Sequence, residues 1–196
     1  MDADFAGLEG LRGADDPLLW ASANLALIGA GSAAYVFAHP LHEDRVVRVS
    51  GYPDGWFMYA DETLRLLVEE ATEVPFRPHV DWLADVSGYL VAVGERLDPV
   101  PEGSRMAEAV DLAVGTREGR SRWDDVETVC PGFGEFCRSL GPGLDLRPEN
   151  FMRRGDTIVF NDPFASIPFG LEPILRDFYR IENNPAPHCG SAFGAG

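Results

Sequence analysis

Gly143-Leu144-Asp145-Leu146-Arg147-Pro148-Glu149-Asn150-Phe151-Met152 runs through Arg153-Arg154-Gly155-Asp156 into Thr157-Ile158-Val159-Phe160-Asn161-Asp162-Pro163-Phe164. Apolar residues on both sides of the Arg154-Gly155-Asp156 turn read as a short β-hairpin. Asp145 and Asn150 precede its first arm, and Asp162, twelve residues after Asn150, ends its second. Two antiparallel arms fold the chain back on itself. The oxygens of two carboxylates and one amide are thereby expected at one point.

Working outward, residues 25–37 (LALIGAGSAAYVF) read as strand, glycine turn and strand, because apolar β-formers flank Gly29 and Gly31. A third strand is expected over Arg45–Val49. After the Gly51–Gly55 turn, residues 56–71 carry Phe57, Ala60, Leu64, Leu67, Val68 and Ala71 at helical spacing. Pro75 and Pro78 stop that helix, and 79–86 and 88–97 read as two strands around Ser87-Gly88. The first half is thus a small antiparallel sheet with one helix. Residues 98–103 (DPVPEG) form a Pro-rich connector. Beyond it, 104–114 and 121–140 read as helices, the second broken near Pro131-Gly132. An amphipathic helix over 171–182 and a mobile Pro/Gly-rich tail complete the chain. No internal repeat is visible. The shift from strand to helix divides the chain at 1–97 and 98–196.

With 196 residues and 45% hydrophobic content, the chain can bury a core but not two large domains. The start has no basic region followed by an apolar run, and no stretch of about 18 apolar residues occurs anywhere. A soluble, cytoplasmic protein without membrane contact is expected. Cys130, Cys137 and Cys189 have neither zinc-site spacing nor the density of a disulfide framework, and are read as reduced thiols. His39, His42, His79 and His188 share no metal-ligand spacing. A formal charge of −16 repels a polyphosphate backbone and excludes general nucleic-acid binding. Basic proteins and metal-bound nucleotides remain as partners. All 16 basic residues are arginine. GC-rich coding with an acidic surface accounts for the missing lysine; so does selection against a modifiable amine.

The residues around the hairpin suit one chemistry. Phosphoryl transfer needs a carboxylate to accept the hydroxyl proton, and an amide and a second carboxylate to hold Mg²⁺ against the phosphates. Asp145-Leu146-Arg147-Pro148-Glu149-Asn150 resembles the DLKPEN catalytic loop of serine/threonine protein kinases, and Asn161-Asp162-Pro163-Phe164 resembles a variant of their DFG. Gly29-Ala30-Gly31-Ser32-Ala33-Ala34-Tyr35-Val36 resembles the glycine-rich loop over ATP. Val46-Val47-Arg48 sits where the family has V-A-I-K, and Val93-Gly94-Glu95-Arg96-Leu97 resembles the hinge strand. The DGWFMYA run (54–60), the ERL hinge and the DP ending are most similar to small kinases encoded by some tailed phages. Taken singly, each piece also has a plain structural use: two glycines in a hairpin, Asp145 capping a turn, Asn150 satisfying a backbone group.

The resemblance, over roughly residues 25–168, implies an α+β, two-lobed protein-kinase-like fold with a reduced helical second lobe. It implies ATP and Mg²⁺, with Asp145 as base and Asn150 and Asp162 on the metal. Gly29, Gly31 and Val36 would line the nucleotide, Arg48 would touch its phosphates and Glu95 would lie at the hinge. Arg147 would reach the γ-phosphate. Glu62, with Glu69 and Glu70 behind it, is a candidate partner for Arg48. Against the family pattern, Arg48 replaces lysine, Gly143-Leu144 replaces His-Arg, no APE-like segment follows Asp162, and 34 residues remain after it. Three readings follow: a serine/threonine kinase acting on host proteins in the host cytoplasm, a pseudokinase acting by binding a host protein, and a small-molecule kinase of the aminoglycoside-phosphotransferase type.

Overall fold

In the first half the apolar β-forming runs pair into one antiparallel sheet. The structure is a computed structural model and describes residues 6–31, 33–51, 55–70, 75–115, 122–135 and 145–164. Strands β1 (Leu27–Ala30), β2 (Ala34–Ala38), β3 (Arg45–Ser50), β4 (Val80–Val86) and β5 (Tyr89–Glu95) are ordered β1-β2-β3-β5-β4. The β4–β5 hairpin turns through Ser87 (φ 51°) and Gly88 (φ 86°), the two positive φ values that match the twist of the strands. Asp85 Oδ1 accepts the Gly88 N–H at 2.8 Å and pins this turn. Between β2 and β3, His39 Nδ1 accepts the N–H groups of Leu41 and His42, each at 3.2 Å, which is a structural role.

Helices α1 (Glu9–Arg12) and α2 (Pro17–Asn24) precede the sheet and were not foreseen. Their signal was present in Asp16-Pro17. Asp16 is the N-cap, its carboxylate accepting the Leu19 N–H at 2.9 Å, and Pro17 occupies the first turn, where its missing N–H costs nothing. Helix α3 (Gly55–Glu70) buries Phe57, Tyr59, Ala60 and Leu64. The consecutive residues Leu90–Val93 are all buried, so β5 is covered on both faces. Helix α2 lies against β3 and β5, and α3 lies against β4.

The described residues divide into two units, residues 6–70 with 79–96, and residues 75–78 with 97–164. Among the described residues of the second unit, β6 (Asp98–Pro99), β7 (Phe151–Arg154) and β8 (Thr157–Phe160) form a sheet in that order. Strand β6 arises inside the stretch read as a plain connector. The β7–β8 turn uses Gly155 at φ +57°. Phe160 stacks on Phe151 (4.2 Å between centroids) and meets Phe133 at 5.4 Å, giving this unit its aromatic core. Phe160 also donates its N–H to the Phe76 carbonyl at 2.9 Å, and Arg154 donates to the carbonyls of Pro75 and Arg77. These bonds place 75–78 with the second unit.

Helix α4 (Arg105–Val114) starts at Ser104, whose Oγ accepts the Ala107 N–H at 3.1 Å. Helix α5 (Arg122–Val129) ends before Pro131, as the break near Pro131-Gly132 led one to expect. Gly132 has φ +79°, and the Glu127 carboxylate accepts the N–H groups of Gly132 and Gly134. The helix expected over 171–182, and the tail after it, lie outside the described residues. The α+β class is thus present as expected. Among the described residues no helix is long and apolar enough to cross a membrane.

Candidate active site

In the second unit the hairpin is closed by hydrogen bonds among the residues singled out by the sequence. Asp145 N–H donates to the Pro163 carbonyl (2.8 Å), and Asn161 N–H donates to the Asn150 carbonyl (2.7 Å). Together these bonds tie 145–150 to 161–163. Pro148–Asn150 forms a single 3-10 turn, with Asn150 N–H donating to the Arg147 carbonyl at 3.0 Å. Inside this turn Asn150 Nδ2 donates to the Asp145 carbonyl at 2.8 Å. Orientation of the amide follows: its NH₂ is bound to the loop, and Oδ1 is the atom left to accept from or coordinate a ligand.

The Asp145 carboxylate is gripped at both oxygens by Arg147, Nε to Oδ1 and Nη2 to Oδ2, each at 2.8 Å. That hydrogen bond pushes the Arg147 guanidinium upward in pKa, and the carboxylates of Glu149 and Asp162 add to the effect. Asp162 is therefore within electrostatic reach of the same guanidinium, and the structure brings Asp145, Arg147, Asn150 and Asp162 together. The Arg147 side chain is 69% exposed. A pair this open to water is screened and exchanges readily.

In the first unit the register sets a row. Gly29 faces Val36, Val36 faces Arg48, Arg48 faces Ala92 and Ala92 faces Leu83, so these residues share one face of the sheet. The β1–β2 turn is closed by Gly31 N–H on the Ala34 carbonyl (2.9 Å), and Ser50 Oγ donates to the Ala33 carbonyl (2.8 Å). Neither Gly29 nor Gly31 has positive φ. A Cβ on either would make only an ordinary contact at 3.8 Å, with the Val36 Cβ and the Ala34 carbonyl. The turn itself does not require these glycines, contrary to the simple hairpin explanation. What they leave is bare backbone on this face.

Arg48 stacks its guanidinium over the Trp56 ring, 4.4 Å from the centroid. Glu62 is held instead by Arg65 one turn along α3, through Nε (2.7 Å) and Nη2 (2.6 Å). Glu62 is thus taken by Arg65 rather than by the expected Arg48, because an i,i+3 partner on the same helix needs no strand to be brought near. The side chains of Glu69 and Glu70 lie outside the described residues. Glu95, at the end of β5, donates its N–H to the His79 carbonyl (2.9 Å) and accepts the His79 N–H on its carboxylate (3.1 Å). Arg96 N–H donates to the Asp44 carbonyl at 2.8 Å. Gly94 lies under the same strand contact, where a Cβ would stand 2.8 Å from the His79 carbonyl oxygen. Sequence reading missed Trp56, Ser50 and the structural use of Gly94; a glycine inside a strand was the available signal for the last.

No protein-family profile and no curated protein matches the sequence. Solved structures do. The BubR1 kinase domain matches at 16% identity and TM-score 0.42, over 74% of this chain and 47% of that one. The Mycobacterium tuberculosis PknI kinase domain, in a cysteine-to-alanine mutant form, matches at 17% identity and TM-score 0.36, over 71% of this chain and 57% of that one. A further PknI kinase-domain structure matches at 18% identity and TM-score 0.35, over 77% and 63%. The chain spans about half the length of the first of these domains. At such identities and scores, the roles of residues must rest on geometry.

Mg²⁺ takes one or two protein oxygens and completes its octahedron with water and phosphate. Asn150 Oδ1 and the Asp162 carboxylate are the oxygens here that could serve such an ion. Among the described residues no three His, Cys, Asp or Glu side chains form a closed metal cage. Beside the loop, a cavity of about 530 Å³ is lined by Val100, Val110 and Phe151, with Glu102, Asp111 and Glu149 among its polar groups.

Proposed function

We propose that the chain is an ATP- and Mg²⁺-dependent, protein-kinase-like phosphotransferase acting on serine or threonine hydroxyls of proteins. The supporting observation is the hydrogen-bonded loop that gathers Asp145, Arg147, Asn150 and Asp162. Asp145 accepts the proton of the attacking hydroxyl as its oxygen bonds to the γ-phosphorus, and the bond to the β–γ bridging oxygen breaks to release ADP. Asn150 Oδ1 and Asp162 would hold Mg²⁺, which neutralises the charge on the phosphates. Arg147, whose pair with Asp145 is open to water, exchanges Asp145 for the transferring phosphate. In the first unit, Gly29 and Gly31 let a nucleotide approach bare backbone, Val36 packs against its base, Arg48 meets its phosphates and Glu95 ends the hinge-side strand.

A protein substrate is favoured by the acid-rimmed apolar cavity beside Glu149. Such a groove suits a segment carrying arginine or lysine next to apolar residues, in keeping with the net charge of −16. On this reading a phage-encoded copy would act on host proteins in the host cytoplasm. A second reading, a pseudokinase that binds a protein without transfer, draws on the bidentate Arg147–Asp145 pair and on Arg48 in place of lysine.

The test is a thermal shift with Mg·ATP beside radiolabelled transfer to a basic serine peptide. The first reading requires a Mg²⁺-dependent shift and transfer that Asp145→Ala abolishes while keeping most of the shift. A shift without transfer supports the second. Transfer undiminished in Asp145→Ala removes that residue from the chemistry.

A further inference from the structure

We infer that Ser50 is the positioning residue of the β1–β2 turn: its hydroxyl latches the turn to the end of β3 and so holds the turn's backbone where it meets the phosphates of the nucleotide. The inference rests on the nucleotide reading above and names the side chain that fixes the glycine turn.

The turn has little side chain of its own to hold it. Gly29 and Gly31 have none, a Cβ on either would make only an ordinary contact, and Ala30 is exposed. A backbone bond from the Gly31 N–H to the Ala34 carbonyl (2.9 Å) closes the turn. The β2–β3 ladder ends at the Ala34–Ser50 pair, one residue short of Ala33. Ser50 carries it one step further with a side chain: Oγ donates to the Ala33 carbonyl at 2.8 Å, from a residue that is 3% exposed. Ser50 lies two residues beyond Arg48 on β3, and its partner Ala34 lies two residues before Val36 on β2. Side chains two apart on a strand share a face, so the latch sits on the face that carries Gly29, Val36 and Arg48. Bare glycine backbone lets an anion approach closely but does nothing to keep the backbone in place. A turn already tied down binds more tightly, because its ordering is then part of folding rather than of binding. Without the hydroxyl, the Ala33 carbonyl turns to water and the turn is free to lift. Glycines for access and a serine for rigidity thus form one device.

The experiment measures dissociation constants for Mg·ATP and for adenosine, and hydrogen exchange of the Gly31 amide, in wild type, Ser50→Ala and Ser50→Thr. Ser50→Ala should weaken Mg·ATP about threefold to tenfold, the loss of one neutral hydrogen bond, and speed Gly31 exchange. Adenosine, which has no phosphate to meet the turn, should bind unchanged. Ser50→Thr, which keeps the hydroxyl, should recover most of both effects. A serine with a merely structural role would lower the melting temperature in Ser50→Ala and leave the ratio of ATP to adenosine affinity as it was; that result overturns the inference, as does a Gly31 amide that exchanges no faster in Ser50→Ala. Should Ser50→Ala fail to fold, wild type decides: a Gly31 amide protected before any nucleotide is added supports a turn held in advance, and an unprotected one sinks it. A wild type that binds Mg·ATP no better than adenosine defeats the nucleotide reading itself. A wild type that prefers Mg·ATP, beside a Ser50→Ala variant that keeps the full preference, defeats this inference alone.

Discussion

Asn150 offers the most direct test of the loop, because its two amide atoms have separate jobs. Nδ2 donates to the Asp145 carbonyl at 2.8 Å, in a half-buried turn where water can partly replace a lost partner. Removing the side chain in Asn150→Ala forfeits one neutral hydrogen bond, about 1 kcal/mol. For a chain of this size that lowers Tm by about 2–4 °C. Asn150→Asp keeps the shape but faces a carboxylate oxygen with a carbonyl oxygen at the same short distance, so at pH 7 it should melt below Asn150→Ala. Protonation repairs the contact, since a neutral carboxyl donates where the amide did. The new carboxyl is thus held above its usual pKa of about 4. Its favourable contact is present below that value and is lost as pH rises through the raised one. Differential scanning calorimetry of wild type and both variants from pH 4 to 7 checks this: the gap between Asn150→Asp and wild type should close toward pH 4, and that of Asn150→Ala should not. An Asn150→Ala protein that melts with wild type, or an Asn150→Asp gap independent of pH, would refute the hydrogen bond from Nδ2 and with it the assignment of Oδ1 as the atom left for a ligand.

Three further outcomes are expected. Gly94→Ala should destabilise the chain by about 1–3 kcal/mol, because its Cβ would stand 2.8 Å from a backbone oxygen in the neighbouring strand rather than from a side chain that can swing away; urea titration reads the change. Arg48→Lys should reduce the Mg·ATP-induced melting shift by the equivalent of about 1 kcal/mol through loss of the flat stack; a larger shift with lysine would mean the site is not built around arginine. Cys130 is buried, and desolvation, with the nearby Glu127 carboxylate, pushes its thiol from 9.0 up to about 12. The unfolded thiol ionises first, so this contribution is full below about pH 9 and is lost as pH rises toward 12. Wild type should lose stability across that window more steeply than Cys130→Ala, and peptide mapping should show Cys130 unreacted with iodoacetamide at pH 8.

Patterns confined to neighbouring residues were legible in the amino-acid sequence. Apolar β-formers flanking turn residues located all five strands of the first sheet, and the Arg154-Gly155-Asp156 turn announced the β7–β8 hairpin, because a turn and its flanking strands are encoded within a few residues. The Asp145–Asn150 stretch and Asp162 were likewise readable, since hairpin geometry alone returns one arm to the other. Helix α2 also has a local signal, the cap Asp16 followed by Pro17 in the first turn.

Contacts that join distant residues had to come from the tertiary structure. Spacing along α3 made Glu62 an acceptable partner for Arg48, and only the three-dimensional arrangement shows that Arg65 takes Glu62 while Trp56 receives Arg48. Glycine at 29 and 31 suggested a turn; their φ values and the open space above them show that the turn does not need them. Gly94, a glycine inside a strand, signalled a close backbone approach, but only the structure shows that the His79 carbonyl makes it. Composition and periodicity decide which segments become strands and helices, because those preferences act over a few residues. Which charge meets which partner depends on the register between strands and the placing of a helix upon them, and that is set by the packing of the whole unit.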